Sequence, residues 1–281
     1  MMIDADLGDL SSLLVPGRHA LSRAAPALPE HDAHPPVDGS QGYVHSFEVV
    51  SEADGPGTRF VLFTTGCLLR CLYCHNPDTW HLKNGRLASV ERVLTEIAKY
   101  APSLTALDGG LTISGGEPLL QAGFTAEVCR QAKSRFQLHT ALDTSGFLGD
   151  RIGDEDLSSI DLVLLDIKSW DRTLYRRLTG VDLEPTLAFA RRLAALNKTV
   201  WIRFVLVPGL TDGLANIQGV SEFAAGLGNV ERVDVLPFHQ LGRFKYETLG
   251  IPYALADTPM PDRDLIERAK DQFRRRGLRT H

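Results

Sequence analysis

Cys67, Cys71 and Cys74 fall within eight residues in the spacing C-x3-C-x2-C, and no other stretch of this 281-residue chain is as well suited to hold a metal. Three thiolates on one tight loop can hold three irons of a cubane cluster, which otherwise takes four. Structural zinc also takes four ligands, usually as two CxxC-type pairs, and no second pair exists here. The fourth cysteine, Cys129, lies on a helical stretch in line with Leu120, Phe124 and Ala132, the setting of a buried side chain. The cysteine set therefore leaves one coordination position open. An open position at a metal marks reactivity, whereas structural sites are closed. Two blander readings stand beside this one: zinc completed by His75 or Cys129, and a redox pair of Cys71 and Cys74 that leaves Cys67 idle.

The elements that must position this loop follow from hydrophobic pattern. Strands are expected at 58–65, 110–114, 137–143, 161–168, 199–207 and 231–238, each followed by helical material. Val90, Val93, Leu94 and Ile97 recur at helical spacing over 89–101, with Ser89 as N-cap. A second helix covers 119–136, and a final one ends at Gly277. Alternation of this kind implies a parallel sheet with crossover helices. Six units fall short of the eight that close a barrel, so the expected fold is α/β, either an open, partial (β/α)6 barrel or a doubly wound sheet. Near-continuous apolar runs such as LVLL and FVLV fit strands buried on both faces.

Chemistry in such folds gathers at the carboxyl ends of strands. Those ends read Gly66-Cys67, Ser114-Gly115-Gly116-Glu117, Asp143-Thr144, Asp166-Ile167-Lys168, Val207-Pro208-Gly209 and Pro237-Phe238-His239. Ordinary βα-turns account for any one of these, but poorly for all of them together. The remaining composition narrows the function class. A net charge of -5 argues against nucleic acid as main partner, and four cysteines are too few for a disulfide framework. No apolar run is long enough to cross a membrane. Residues 1–41 contain no aromatic residue, hold five of the fifteen prolines and carry six acids against two bases, so they read as a flexible extension to a domain spanning 42–281. Their acidic start fits neither a secretory nor a mitochondrial leader, which leaves a cytoplasmic protein as the expectation.

Taken together, the cysteine loop, the Gly-Gly-Glu-Pro segment at 115–118 and the partial barrel resemble the radical S-adenosylmethionine enzymes. Further segments sharpen the resemblance: Asp54-Gly-Pro-Gly57-Thr-Arg59, Asp143-Thr-Ser-Gly146, Leu165-Asp-Ile-Lys168, Trp201-Ile-Arg203, Val207-Pro-Gly209 and Leu236-Pro-Phe-His239-Gln-Leu-Gly242. From about residue 42 to the C-terminus they follow the order seen in the activating enzymes of pyruvate formate-lyase. Other glycyl radical activases carry a cysteine-rich insertion, whereas residues 75–114 here contain no cysteine. Two departures stand out: Thr58 replaces a usual branched aliphatic, and Tyr246 stands where tryptophan is common.

The resemblance implies a [4Fe-4S] cluster on Cys67, Cys71 and Cys74, with S-adenosylmethionine chelating the fourth iron. It implies that reductive cleavage yields a 5′-deoxyadenosyl radical, which removes a glycine Cα hydrogen from pyruvate formate-lyase and leaves a glycyl radical. Cofactor contacts are implied for Tyr73, Cys74, His75, Gly115, Gly116, Glu117, Asp166, Ile167, Lys168 and His239, and a monovalent-cation site for Asp143, Thr144 and Asp166. The glycines let backbone approach a ligand. Glu117 reads equally well as a helix cap, a local ion pair is the blander reading of Asp166 and Lys168, and Arg203 is a weaker candidate for substrate or cofactor contact. A flavodoxin or ferredoxin electron donor and a monomeric protein complete the implied picture. The alternatives are an activase of another glycyl radical protein, a small-molecule enzyme of the same class, and a non-catalytic zinc or iron–sulfur module.

Overall fold

A computed structural model describes residues 38–281; the rest of the expected N-terminal extension lies outside the described residues. The chain divides into two compact units. The first takes in residues up to 68 together with 76–144 and 150–162. It holds β1 (Gln41–Ser51), β2 (Arg59–Thr64), β3 (Arg86–Ser89), α1 (Val90–Ala106), β4 (Gly110–Gly115), α2 (Ala122–Phe136), β5 (His139–Thr144) and α3 (Asp154–Leu157). Strand order is β3-β1-β2-β4-β5. The pairs β2–β4 and β4–β5 run parallel, whereas β1 runs antiparallel to both β2 and β3.

The second unit comprises 69–75, 145–149 and 163–281. It carries β6 (Leu162–Asp166), α4 (Arg172–Thr179), α5 (Glu184–Ala195), β7 (Thr199–Leu206), α6 (Leu214–Leu227), β8 (Val230–Pro237), α7 (Arg243–Leu249) and α8 (Arg263–Arg274). Its strands order as β6-β7-β8, with β7 and β8 parallel. The fold is thus α/β with a mostly parallel sheet, and all six expected strands are present. β1 and β3 are additions to that expectation.

Local sequence explains each boundary. Ser89 caps α1, its side chain accepting from the Arg92 N–H. That helix runs past the expected end through Pro102 to Ala106. Asp171 and Asp262 cap α4 and α8 in the same way. Residues 118–121 form a short 3-10 turn before α2, begun by Pro118, whose missing N–H costs nothing at a helix start. The apolar runs behave as expected: Val61, Leu62, Ile113, Leu142, Val163, Leu165, Ile202 and Phe204 are fully excluded from water. At roughly 25 cal/mol per Å² of apolar surface, each such side chain stabilises its unit by about 1.5–3 kcal/mol before entropy is counted.

Candidate active site

The cysteine loop begins in the first unit. Gly66 N–H donates to Thr79 O at 2.7 Å and Cys67 N–H to Trp80 O at 3.0 Å, so residues 76–80 hold the first cysteine from its far side. Gly116 N–H donates to Thr64 O and Glu117 N–H to Gly66 O, which joins the Gly-Gly-Glu segment to the same loop. Both glycines are demanded by that approach. Gly115 has φ +122°, and a Cβ there would sit 2.3 Å from the Thr64 backbone; a Cβ on Gly116 would sit 2.5 Å from Gly66 O. These contacts account for the glycines before any ligand is considered.

Glu117 is almost wholly buried. Its Oε1 accepts from the Leu119 N–H at 3.1 Å and from the Thr144 hydroxyl at 2.5 Å. Capping is therefore a real role of this carboxylate, and Thr144 shares it. Asp143 accepts from the Ser114 hydroxyl at 2.7 Å. Gln121 donates to Tyr43 O and Thr65 O and accepts from the Tyr43 N–H, pinning β1 to the end of β2.

Cys71 and Cys74 belong to the second unit, with Tyr73, His75, Asp166, Ile167, Lys168 and His239. Here the loop is tied to the end of α4: Arg70 N–H donates to Thr179 O at 2.7 Å and Leu72 N–H to Leu178 O at 3.0 Å. Tyr73 packs with Leu178, Val207, Phe238 and Leu255. Lys168 is buried, lies 2.8 Å from Asp166 Oδ2 and stands 5.7 Å from the centre of the Tyr73 ring. Burial works against its ammonium, but Asp166 outweighs that and holds its pKa well above the ordinary lysine value. Desolvation pushes the Cys71 thiol up to about 12, against the pull of Lys168. Ile167 is fully buried, and its N–H donates to Arg203 O. The rings of His75 and His239 lie 4.2 Å apart. Desolvation of the ring first, then the neighbouring His239, lowers the pKa of His75 to about 4.

The donor set fits an iron–sulfur cubane. Among the described residues no three His, Cys, Asp or Glu side chains converge as they would on one metal ion; a cubane instead meets each thiolate at its own iron. Cys129 is buried within α2, as its periodicity suggested. Tyr73 Oη is buried without a hydrogen-bond partner, the state of an atom that a bound ligand would satisfy. Of the sequence-predicted residues, the structure joins Glu117 with Thr144, Asp166 with Lys168, and His75 with His239.

Two residues escaped functional notice in the sequence. Arg59 is fully buried, and its guanidinium donates to Thr112 Oγ1, Pro56 O, Leu111 O and His139 O. It fastens the Asp54-Gly-Pro-Gly57 turn to β4 and β5, and burial lowers its pKa to about 10. The available signal was a lone arginine leading an otherwise apolar strand. Tyr246, noticed only as a departure, donates to Cys74 O at 3.0 Å.

Comparison with known proteins agrees with this chemistry. A family model described as a 4Fe-4S single cluster domain matches residues 53–175. A pyruvate formate-lyase-activating enzyme of Staphylococcus epidermidis is 44% identical over 236 residues, covering 82% of this chain and 94% of that protein. The crystal structure of a domain of pyruvate-formate lyase-activating enzyme from Bacteroides vulgatus matches with TM-score 0.50 and 25% identity, over 62% of this chain and 98% of that one. A radical SAM methyltransferase from Sphaerobacter thermophilus shares the fold, with TM-score 0.60 at 18% identity over 83% of this chain and 67% of its own. With its cysteine loop inside the matched cluster domain and nearly the whole of a curated relative aligned along it, the chain belongs to the pyruvate formate-lyase-activating enzymes, radical S-adenosylmethionine enzymes that work through a [4Fe-4S] cluster.

Proposed function

We propose that Cys67, Cys71 and Cys74 supply all the protein ligands of the cluster, and that this chain acts on a glycine of pyruvate formate-lyase. The observation that carries the assignment is the donor set itself: three thiols on one backbone-anchored loop, with the only other cysteine sequestered inside α2. When bound, the cluster supplies the electron that cleaves the sulfonium of S-adenosylmethionine and so generates the oxidant for hydrogen abstraction.

The chain's own residues shape the setting for that event. Tyr73 and His75 flank the third ligand and would offer an aromatic ring and an imidazole to the adenine, with the His239 ring 4.2 Å from that of His75. Lys168 brings a buried positive charge, balanced by Asp166, to the polar end of the cofactor. Gly115, Gly116 and Ile167 would offer backbone to it, and Glu117, whose Oε1 accepts from Thr144 and the Leu119 N–H, would pair with its amine. Asp143, Thr144 and Asp166 are the residues we assign to a monovalent cation. Residues 42–281 act as the catalytic domain, with 1–41 as an appended extension. The protein works as a cytoplasmic monomer reduced by a flavodoxin or ferredoxin; among the described residues no helix is long and apolar enough to cross a membrane.

Anaerobic reconstitution with iron and sulfide tests the reading. The parent should gain a brown chromophore and, once reduced, an EPR signal that changes on adding S-adenosylmethionine. Cys71→Ala should lose both. A colourless protein holding one zinc, or a Cys71→Ala variant with full cofactor cleavage, overturns it.

A further inference from the structure

The segment carrying the third cysteine is gripped from the C-terminal side by α7. Tyr246 lies on that helix, only 3% exposed, and its hydroxyl donates to the carbonyl oxygen of Cys74 at 3.0 Å. The bond spans 172 positions of sequence. The Tyr246 ring packs on Tyr253 at 4.6 Å between centres, and Tyr253 in turn packs on the cluster of buried side chains that contains Tyr73.

Gly242, the N-cap of α7, supplies a second grip on the same segment. Its backbone sits at φ -81°, a conformation open to any residue, yet a Cβ there would lie 2.9 Å from His75 Cα and 3.1 Å from His75 O. Glycine is needed for proximity alone. Just before it, the His239 ring lies against His75, whose Nε2 is 3.3 Å from His239 O. Residues 74 and 75 are thus held by a hydroxyl on the Cys74 carbonyl, a backbone pressed on the main chain of His75 and a ring lying against its imidazole.

We infer that Tyr246 is a positioning residue for the cluster and its cofactor, acting through the main chain of Cys74. A carbonyl that accepts a hydrogen bond from a rigid, buried ring cannot swing. Holding it fixes the peptide plane between Cys74 and His75, hence the direction of the Cys74 thiolate and the pose of the imidazole beside it. Outer contacts of this sort typically change metal affinity or activity about 10–100-fold when they orient a ligand through its side chain; a bond to the main chain should act more gently. The feature that matters is a donor at the far end of a large ring. Tryptophan also has one, in its indole N–H, and phenylalanine does not.

The inference rests on the reading that this loop holds a [4Fe-4S] cluster that meets S-adenosylmethionine, and its test separates the two. Parent, Tyr246→Phe and Tyr246→Trp are reconstituted anaerobically and reduced. S-adenosylmethionine is titrated against the EPR signal, and iron release to a ferrous chelator is timed in parallel. The Phe variant should load as much iron as the parent, yet need roughly fivefold more cofactor for half conversion, the factor that one neutral hydrogen bond is worth. It should also release iron several-fold faster, while Trp stays within about twofold of parent in both readouts. A Phe variant matching the parent in both readouts overturns the inference. If Phe does not fold, Gly242→Ala leaves the hydroxyl in place and displaces His75 from the other side; it must weaken the cofactor titration, and an unchanged midpoint overturns the inference. A parent signal that ignores S-adenosylmethionine overturns the functional reading, and the inference with it.

Discussion

Replacing Arg59 with methionine removes a fully buried guanidinium that donates to Thr112 Oγ1 at 3.0 Å, Pro56 O at 3.1 Å, His139 O at 3.2 Å and also to Leu111 O. Two effects oppose each other. Burying a charge is costly, and exchanging a buried ion pair for well-packed apolar residues is often neutral or stabilising. That benefit requires both partners to leave together. Here the acceptors are mostly main-chain carbonyls, which no substitution at position 59 can remove. They stay behind, and each buried carbonyl left unsatisfied costs about 1–3 kcal/mol. Thr112 Oγ1 keeps a partner, since it also donates to Asp54 O at 2.6 Å. Counting two or three orphaned carbonyls and crediting the relief of charge burial gives a net loss of about 3–6 kcal/mol. For a chain of this size that is a drop in Tm of roughly 6–20 °C. Arg59→Lys keeps the charge but cannot reach four acceptors with one ammonium, so it should fall between the parent and methionine. The assay is thermal and urea unfolding of the cluster-free protein followed by circular dichroism, with the two transitions compared for coincidence. A methionine variant melting within about 2 °C of the parent refutes the reasoning, because the carbonyls would then be satisfied some other way.

Gly116→Ala drives a Cβ to 2.5 Å from Gly66 O, and neither backbone can yield without moving the start of the cysteine loop; it should cost about 1–3 kcal/mol and reduce iron loading, seen by melting and metal analysis. Cys129→Ala should load iron as the parent does and lose only about 1 kcal/mol from the small cavity, whereas a drop in iron content would make Cys129 a ligand. Burial tends to raise the Asp161 carboxyl, but the Lys133 ammonium and the Thr140 donors overcome that and leave its pKa lowered. Its contribution is therefore present above the unfolded carboxylate value of about 3.9 and lost as pH falls below it. Asp161→Asn should flatten that acid limb of the stability curve, measured as urea midpoints between about pH 6 and pH 3.

Much of the candidate site was legible because the chemistry proposed for it depends on residue type and spacing. C-x3-C-x2-C, Gly-Gly-Glu and Asp-Ile-Lys lie at strand ends, and strands buried on both faces announce themselves as apolar runs. β1 was not legible because its alternation is broken twice: the register with β2 shifts between Val44 and Ser46 and again between Val49 and Ser51. Val50 bulges there with φ +72° and points to solvent. β3 is four residues long, pairs along its length with β1 alone, carries Arg86 and buries only Ala88, so it has too little periodicity to declare it. Glu117 shows a different limit. Sequence could not choose between cap and cofactor contact, and the structure adds a partner, Thr144, that no local pattern connects to it. Arg59 and Tyr246 act on main-chain carbonyls far away in sequence, and a carbonyl leaves no signature in the residue that carries it.

Loaded with its cluster on Cys67, Cys71 and Cys74, this chain is proposed to generate the oxidant that takes a hydrogen from a glycine of pyruvate formate-lyase. The direct measurement is EPR of the reduced, reconstituted protein mixed anaerobically with S-adenosylmethionine and pyruvate formate-lyase. An organic radical should appear on the partner chain, lose its α-hydrogen splitting when the partner's glycine is deuterated, and stay absent with Cys67→Ala. No radical on pyruvate formate-lyase, from a protein whose cluster responds to S-adenosylmethionine, would contradict the account.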